Sequence, residues 1–255
     1  MTLIDTHCHL YLEEFADDIG EVIKRARDNG VERFYLPNID ARSMQSMLKL
    51  ENDYPLECLS MAGLHPCSVK ENYKGELLTI EKILQERPFA AIGEIGLDFY
   101  WDRTFDKQQY EAFDLQIEWA LQYDIPIVIH SRDSMQPCID VVKKHQHGKL
   151  KGVFHCFTGT LEMAKQIIDL GFYLGIGGVL TYKNSGLAET IKNVDLQYLV
   201  LETDSPYLTP VPFRGKRNES SYLRFIAEKL AQVKEINLHE VEDVTTLNAK
   251  KLFGT

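Results

Sequence analysis

Short apolar runs recur along the chain at residues 3–9, 31–37, 58–63, 90–95, 126–130, 152–155, 172–176 and 198–202, each of a length suited to a buried strand. Between them lie stretches whose apolar residues return every three or four positions. Ile19, Val22, Ile23 and Ala26 form one such stripe, and Tyr110, Phe113, Ile117, Ala120 and Leu121 another, as an amphipathic helix requires. Strand and helix alternating from end to end predict a parallel α/β fold. Two more helices are expected after the eighth strand, over 221–233 and 238–253.

Eight strand–helix units in about 200 residues fit a (β/α)8 barrel, whose functional groups gather where strands end and βα loops begin. An open doubly wound sheet is the alternative. Its usual phosphate loops, GxGxxG or GxxxxGKS/T, follow none of these strands. With no linker or low-complexity tract in the 255 residues, the expectation is one domain over 1–255, a barrel with additional C-terminal helices.

Composition narrows the class further. Hydrophobic residues at 44% and charged residues at 26% belong to a globular chain with a large core. Lys and Arg number 28 against 38 Asp and Glu, and the net charge of −10 opposes polyanions and anionic membranes at long range. Any contact with nucleic acid must therefore be local. Five scattered cysteines without a CxxC pair fit reduced thiols. The opening MTLIDTHCHLYLEEF carries no basic leader with an apolar segment, and no run is long enough to span a membrane. A cytoplasmic protein is expected, with no obligate protein partner.

Polar residues recur at the strand ends: Asp5, His7 and His9 on the first, Glu94 on the fourth, His130 on the fifth, His155 on the sixth, Glu202 and Asp204 around the eighth. Side chains two apart share a strand face, so His7 and His9 would aim at the barrel mouth while Cys8, and by the same parity Cys156, point outward. Any one of these histidines is as well explained as a hydrogen-bonded core residue. Together, four imidazoles and several carboxylates in one low-dielectric mouth need a cation to compensate them. Nitrogen and oxygen donors without thiolate suit Zn2+, Mn2+ or Mg2+.

The runs DTHCHL (5–10), GLHP (63–66), GEIGLDFY (93–100), HSR (130–132), HCFTG (155–159), LETDSPYLTP (201–210) and RGKRN (214–218) closely resemble the TatD family of metal-dependent deoxyribonucleases, over the whole chain. The resemblance implies an amidohydrolase-type TIM barrel that hydrolyses DNA phosphodiesters with two divalent metal ions, commonly as a 3′–5′ exonuclease supported by Mg2+ or Mn2+. It also implies His7, His9, Glu94 and Asp204 as ligands of one metal, Glu94 as the bridge, and His130 and His155 as ligands of the second. One departure stands out. After RGKRN the family usually has Glu-Pro, where this chain has Glu219 and Ser220, and Ser220 is expected to cap the following helix instead.

Two cations would supply charge and a hydroxide, and Asp204 would serve as general base. Behind the ligands, Glu202 would fix a histidine tautomer and Asp5 would support the site. His65 is expected to donate to the scissile phosphate. Arg132, Arg214, Lys216 and Arg217 are candidate phosphate contacts. Tyr100, with Trp101 and Phe99 beside it, is a candidate for stacking unpaired bases, which suits single-stranded or frayed DNA ends. The alternative activity is a metal-dependent ester or amide hydrolase, such as a D-aminoacyl-tRNA deacylase, which would keep every ligand. A binding module without turnover would show a broken ligand set, and here the set is complete.

Overall fold

All eight apolar runs form parallel strands in the computed structural model, which describes residues 2–254. They are β1 (Leu3–Asp5), β2 (Val31–Leu36), β3 (Cys58–Ser60), β4 (Ile92–Asp98), β5 (Ile127–Arg132), β6 (Gly152–Phe154), β7 (Tyr173–Ile176) and β8 (Leu199–Leu201). Helices α1 (Ile19–Asp28), α2 (Met44–Asp53), α3 (Tyr73–Glu86), α4 (Asp106–Tyr123), α5 (Met135–His145), α6 (Leu161–Asp169) and α7 (Leu187–Lys192) alternate with them, and α8 (Leu223–Lys234) and α9 (Leu238–Phe253) follow. Among the described residues no helix is long and apolar enough to cross a membrane.

The strands run in chain order as β1 to β3 and β4 to β8, and two seams close the ring. A parallel bridge between Ala62 and Ile92 joins β3 to β4. The amide of Thr6 donates to the carbonyl of Leu201 at 3.0 Å, joining β1 to β8. The result is the TIM barrel expected from the sequence.

Ile4, Tyr35, Met61, Ala91, Val128, Val153 and Val200, from seven of the strands or their edges, fill the interior, and the half-buried Tyr173 of β7 packs against them. Leu252 and Phe253 of α9 complete that layer, the Phe253 ring stacking on Tyr35 at 3.9 Å. Burying each Val, Ile, Leu, Met or Phe side chain of this layer contributes about 1.5–3 kcal/mol. Asn248 of α9 donates to the carbonyls of Leu196 and Leu199, and Thr246 to that of Thr2. The last helix therefore plugs the N-terminal end of the barrel and leaves the C-terminal end open.

Of the strand ends that differ from expectation, two shape the mouth. β1 stops at Asp5 instead of continuing to His9, because the chain bends at Thr6 toward β8. β4 runs on to Asp98, since Gly96, Leu97 and Asp98 pair with His130, Ser131 and Arg132 of β5. That close pairing requires Gly96: at its φ of 137° a β-carbon would collide with the His130 carbonyl.

Candidate metal centre

Each strand end delivers its polar residues to the open mouth. His7 and His9 follow β1, Glu94 sits where the register of β4 shifts against β5, His130 lies in β5, His155 follows β6, and Asp204 follows β8. Asp204 has φ 54° and Cys156 φ 46°, left-handed values that are unfavourable for residues with a β-carbon and that re-aim the chain just past the strands. The Asp204 amide donates to the His7 carbonyl at 2.9 Å and the His9 amide to the Ser205 carbonyl at 2.8 Å, so the two loops hold each other.

Glu94 divides its carboxylate between two groups of imidazoles. Oε2 lies 3.2 Å from His7 Nε2 and 3.6 Å from His9 Nε2. Oε1 lies 2.8 Å from both His130 Nδ1 and His155 Nε2. Asp204 Oδ1 stands 3.6 Å from Nε2 of both His7 and His9. A cation that holds its donors at about 2.1 Å keeps tetrahedral neighbours about 3.4 Å apart and octahedral ones about 3.0 Å apart. The observed spacings straddle both values. Moreover, neither nitrogen of the fully buried His7 ring has a hydrogen-bond partner, a cost that a cation on Nε2 removes in part. The donor set therefore fits divalent metal, His7 with His9, Asp204 and Oε2 on one side and His130 with His155 and Oε1 on the other.

Among the chain's own groups, carboxylates and imidazoles compensate one another's charge. Burial opposes the charge on Glu94, yet His155, His65 and His7 hold its carboxyl well below the usual range. Burial likewise opposes charge on His9, but its hydrogen bonds to Asp204 and Glu94 push it up to about 9. His7, by contrast, is pushed down by burial and by its neighbour His155, which stacks on it at 3.9 Å.

Hydrogen bonds fix which nitrogen faces inward. The Tyr11 hydroxyl donates to the Pro37 carbonyl at 2.6 Å and so accepts from His9 Nδ1 at 2.9 Å, leaving His9 Nε2 for the centre. Asp98 Oδ2 accepts from His130 Nε2 at 2.9 Å, which turns the lone pair of Nδ1 toward Glu94. Glu202 Oε1 lies 3.6 Å from His155 Nδ1 and accepts from the Cys156 amide. Gly175 leaves room for it, as a β-carbon there would strike the Glu202 carboxylate. His65 differs from the others. Its Nδ1 accepts from the Cys67 amide at 3.0 Å, so Nε2 carries the proton and offers a donor, 3.4 Å from Glu94 Oε1.

Asp98 and Tyr11 are absent from the residues expected from the sequence. Asp98 ends the GEIGLD run and Tyr11 follows His9 at the same two-residue spacing that links His7 to His9, and both signals were available. Asp5, expected as support, does not reach an imidazole. It accepts from Thr203 Oγ1 and Ser220 Oγ at 2.6 Å each, and from the Thr203 amide at 2.9 Å, tying the loop after β8 to β1. Ser220 accordingly caps no helix; its hydroxyl is spent on Asp5.

A cavity of about 610 Å³ opens above the centre, with His65, Arg132, Trp101, Cys156 and Tyr207 in its wall. Cys156 therefore faces the cavity and not the helices, because strand parity ends with β6 and the left-handed residue turns the chain. Arg132 lies over the Tyr100 ring at 3.9 Å and the Trp101 ring at 5.1 Å, and makes no ion pair among the described residues. Trp101 lines the cavity, whereas Tyr100 lies beside it under the guanidinium. Arg214 stacks on Tyr182 at 4.2 Å, and Lys216 is exposed; neither lines the cavity. Arg217 is committed elsewhere, its terminal nitrogens donating to Asp18 at 2.8 and 2.7 Å and to the Glu14 carbonyl. It is a structural cation, not a free phosphate contact.

A family model described as TatD related DNase matches residues 4–254. The metal-dependent hydrolase YabD of Bacillus subtilis strain 168, itself uncharacterized, is 37% identical over 252 residues, 98% of each chain. A protein of Erwinia tasmaniensis named 3′-5′ ssDNA/RNA exonuclease TatD is 33% identical over 259 residues, covering 99% of this chain and 100% of that one. The crystal structure of YJJV, a TatD homologue from Escherichia coli K12, superposes with a TM-score of 0.94 at 29% identity, covering 99% and 98% of the two chains.

Proposed function

The chain belongs to the TatD family of metal-dependent hydrolases, and we propose that it cleaves phosphodiester bonds of single-stranded DNA from the 3′ end, in the cytoplasm, using two divalent cations, Mg2+ or Mn2+. The observation that carries this reading is the division of Glu94, one oxygen toward His7 and His9 and the other toward His130 and His155. One carboxylate shared by two donor groups suits a pair of cations about 3.5–4 Å apart. His7, His9 and Asp204 would hold one with Oε2, and His130 and His155 the other with Oε1. When bound, such cations neutralise the phosphate oxygens and bring the pKa of attacking water near neutrality.

The chain's own groups divide the remaining work. The Asp204 side chain is 14% exposed where that of Glu94 is 3%, so it is the carboxylate of the set that solvent reaches. Its carboxyl is held below the ordinary range, against burial, by His9, His7 and His155, and it starts ionised. It is placed to take the proton of the attacking water. His65 Nε2–H donates to a nonbridging phosphate oxygen. Arg132, with no carboxylate partner among the described residues, offers a second contact to the strand. The name of the Erwinia relative supports both the substrate class and the polarity.

Turnover of 3′-labelled and 5′-labelled single-stranded DNA, with Mg2+ or Mn2+ and with EDTA, tests the reading. Mononucleotide released first from the 3′ label, and only with metal, is expected. Release from the 5′ label first would reverse the polarity. No cleavage of either strand beside metal-dependent hydrolysis of an aminoacyl-tRNA would replace the phosphodiester by an acyl ester.

A further inference from the structure

Two large aromatic rings stand exposed at the cavity, Trp101 at 68% and Tyr207 at 49%, an unusual use of surface unless something covers them. They follow β4 and β8, strands four apart in an eight-stranded ring and hence on opposite walls. Their neighbours agree with that placement. The Trp101 amide donates to Asp98, which also holds His130. The Tyr207 ring packs edge-on to His9 at 6.3 Å, and its amide donates to the Asp204 carbonyl at 2.8 Å. Each ring thus flanks a different half of the donor set, with Glu94 between them.

We propose that Trp101, backed by Arg132, and Tyr207 are two base-stacking platforms on opposite walls, so that a single nucleic-acid strand crosses the centre with a base parked on each side of the scissile phosphate. The inference rests on the phosphodiesterase reading above. Stacking needs only a flat apolar face, and every base has one. The cavity wall also carries the apolar side chains of Ile39, Val179 and Leu208, together with the hydroxyls of Ser68, Ser131 and Thr158. Stacking on the rings themselves does not select among bases. It also explains how a chain of net charge −10 holds a polyanion: much of the binding comes from rings, and little from a basic face.

Abasic substitution tests the proposal. Single strands carrying an abasic sugar on the 3′ side or the 5′ side of the scissile phosphate are compared with the intact strand, using the wild-type protein, Trp101→Ala, Tyr207→Ala and the Phe variants at both positions. Each Ala variant should raise KM for the intact strand by roughly 5- to 100-fold with kcat little changed, and Phe should restore it. Each loss should vanish on one abasic strand only, and the two variants should pair with opposite sides. Equal losses on all three strands would make the rings structural and overturn the proposal, as would pairing with the same side. Failure of the wild-type protein to cleave the intact strand at all would instead refute the phosphodiesterase reading.

Discussion

Replacing Asp98 by Asn isolates how one hydrogen bond sets the chemistry of the centre. In the native protein Oδ1 accepts from the amides of Tyr100 and Trp101 at 3.0 and 3.1 Å, and Oδ2 accepts from His130 Nε2 at 2.9 Å. Asparagine has one acceptor where two are needed. Its oxygen must stay on the two amides, because an NH2 group facing two N–H donors leaves all of them unpaired. The NH2 then faces His130 Nε2, which must become the acceptor, and the ring proton moves to Nδ1. That proton points at Glu94 Oε1 and removes a lone pair from the donor set. Loss of such an orienting partner costs about 10- to 100-fold in metal affinity, roughly 1.4–2.7 kcal/mol. Calorimetric titration of chelator-stripped protein with Mn2+ should show one site weakened by that factor and the site at His7, His9 and Asp204 retained. Thermal stability should hardly change, since the loop at Tyr100 and Trp101 keeps its acceptor. Asp98→Ala should lose both affinity and stability. Two sites of native affinity in Asp98→Asn would refute the tautomer argument.

Other outcomes follow from the same geometry. Glu94→Ala should empty both halves of the centre, and two full sites by metal analysis would rule out a shared carboxylate. Asp204→Asn should lower turnover by about 10²-fold or more while the fold survives; near-native turnover in a folded variant would remove its role as base. His65→Ala should slow turnover without changing metal content, because its inward nitrogen carries a proton; a lost ion would make it a ligand. Neutralising Arg132, Arg214 and Lys216 together should weaken strand binding and flatten a salt slope expected at only about −1.4 to −2.1, for two or three phosphates of a single strand; a steep native slope would imply a broad basic face. Burial lifts Asp5 from 3.8 to about 7, so the native state keeps a proton that the unfolded chain has lost, and stability falls as pH rises between those values by up to about 1.4 kcal/mol per unit. Denaturant titrations of the stripped protein should show Asp5→Asn less stable, yet with a shallower decline over that range; an unchanged slope would show that Asp5 titrates normally.

The barrel could be read from the chain because its signals are local: apolar runs for strands, three-and-four spacing for helices, and the absence of a phosphate loop to exclude the open sheet. The residues of the donor set were legible for the same reason, each standing at the end of such a run. Parity gave the right direction for His7 and His9, although β1 has already ended and hydrogen bonds from the Asp204 and His9 amides between the two loops hold them instead. It gave the wrong direction for Cys156, where a left-handed residue breaks the alternation. Pairings across long separations were not visible. Arg217 binds Asp18 and Ser220 binds Asp5 through contacts 199 and 215 residues apart in sequence, and only the fold shows that those cations and hydroxyls are already spent. Tyr11 and Asp98 stand out less in the sequence because the histidines they orient carry the more conspicuous chemistry.

If one carboxylate couples two cations into a single phosphodiesterase centre, turnover must follow the binding of the second ion. Turnover of a 3′-labelled single strand by chelator-stripped protein, followed as Mn2+ is added in fractions of an equivalent and bound metal is counted in parallel, tests it most directly. Expected are no cleavage without metal, little with one ion per chain, and full release of 3′ mononucleotides as the second binds. Full activity in the stripped protein, or saturation at one ion per chain, would contradict it.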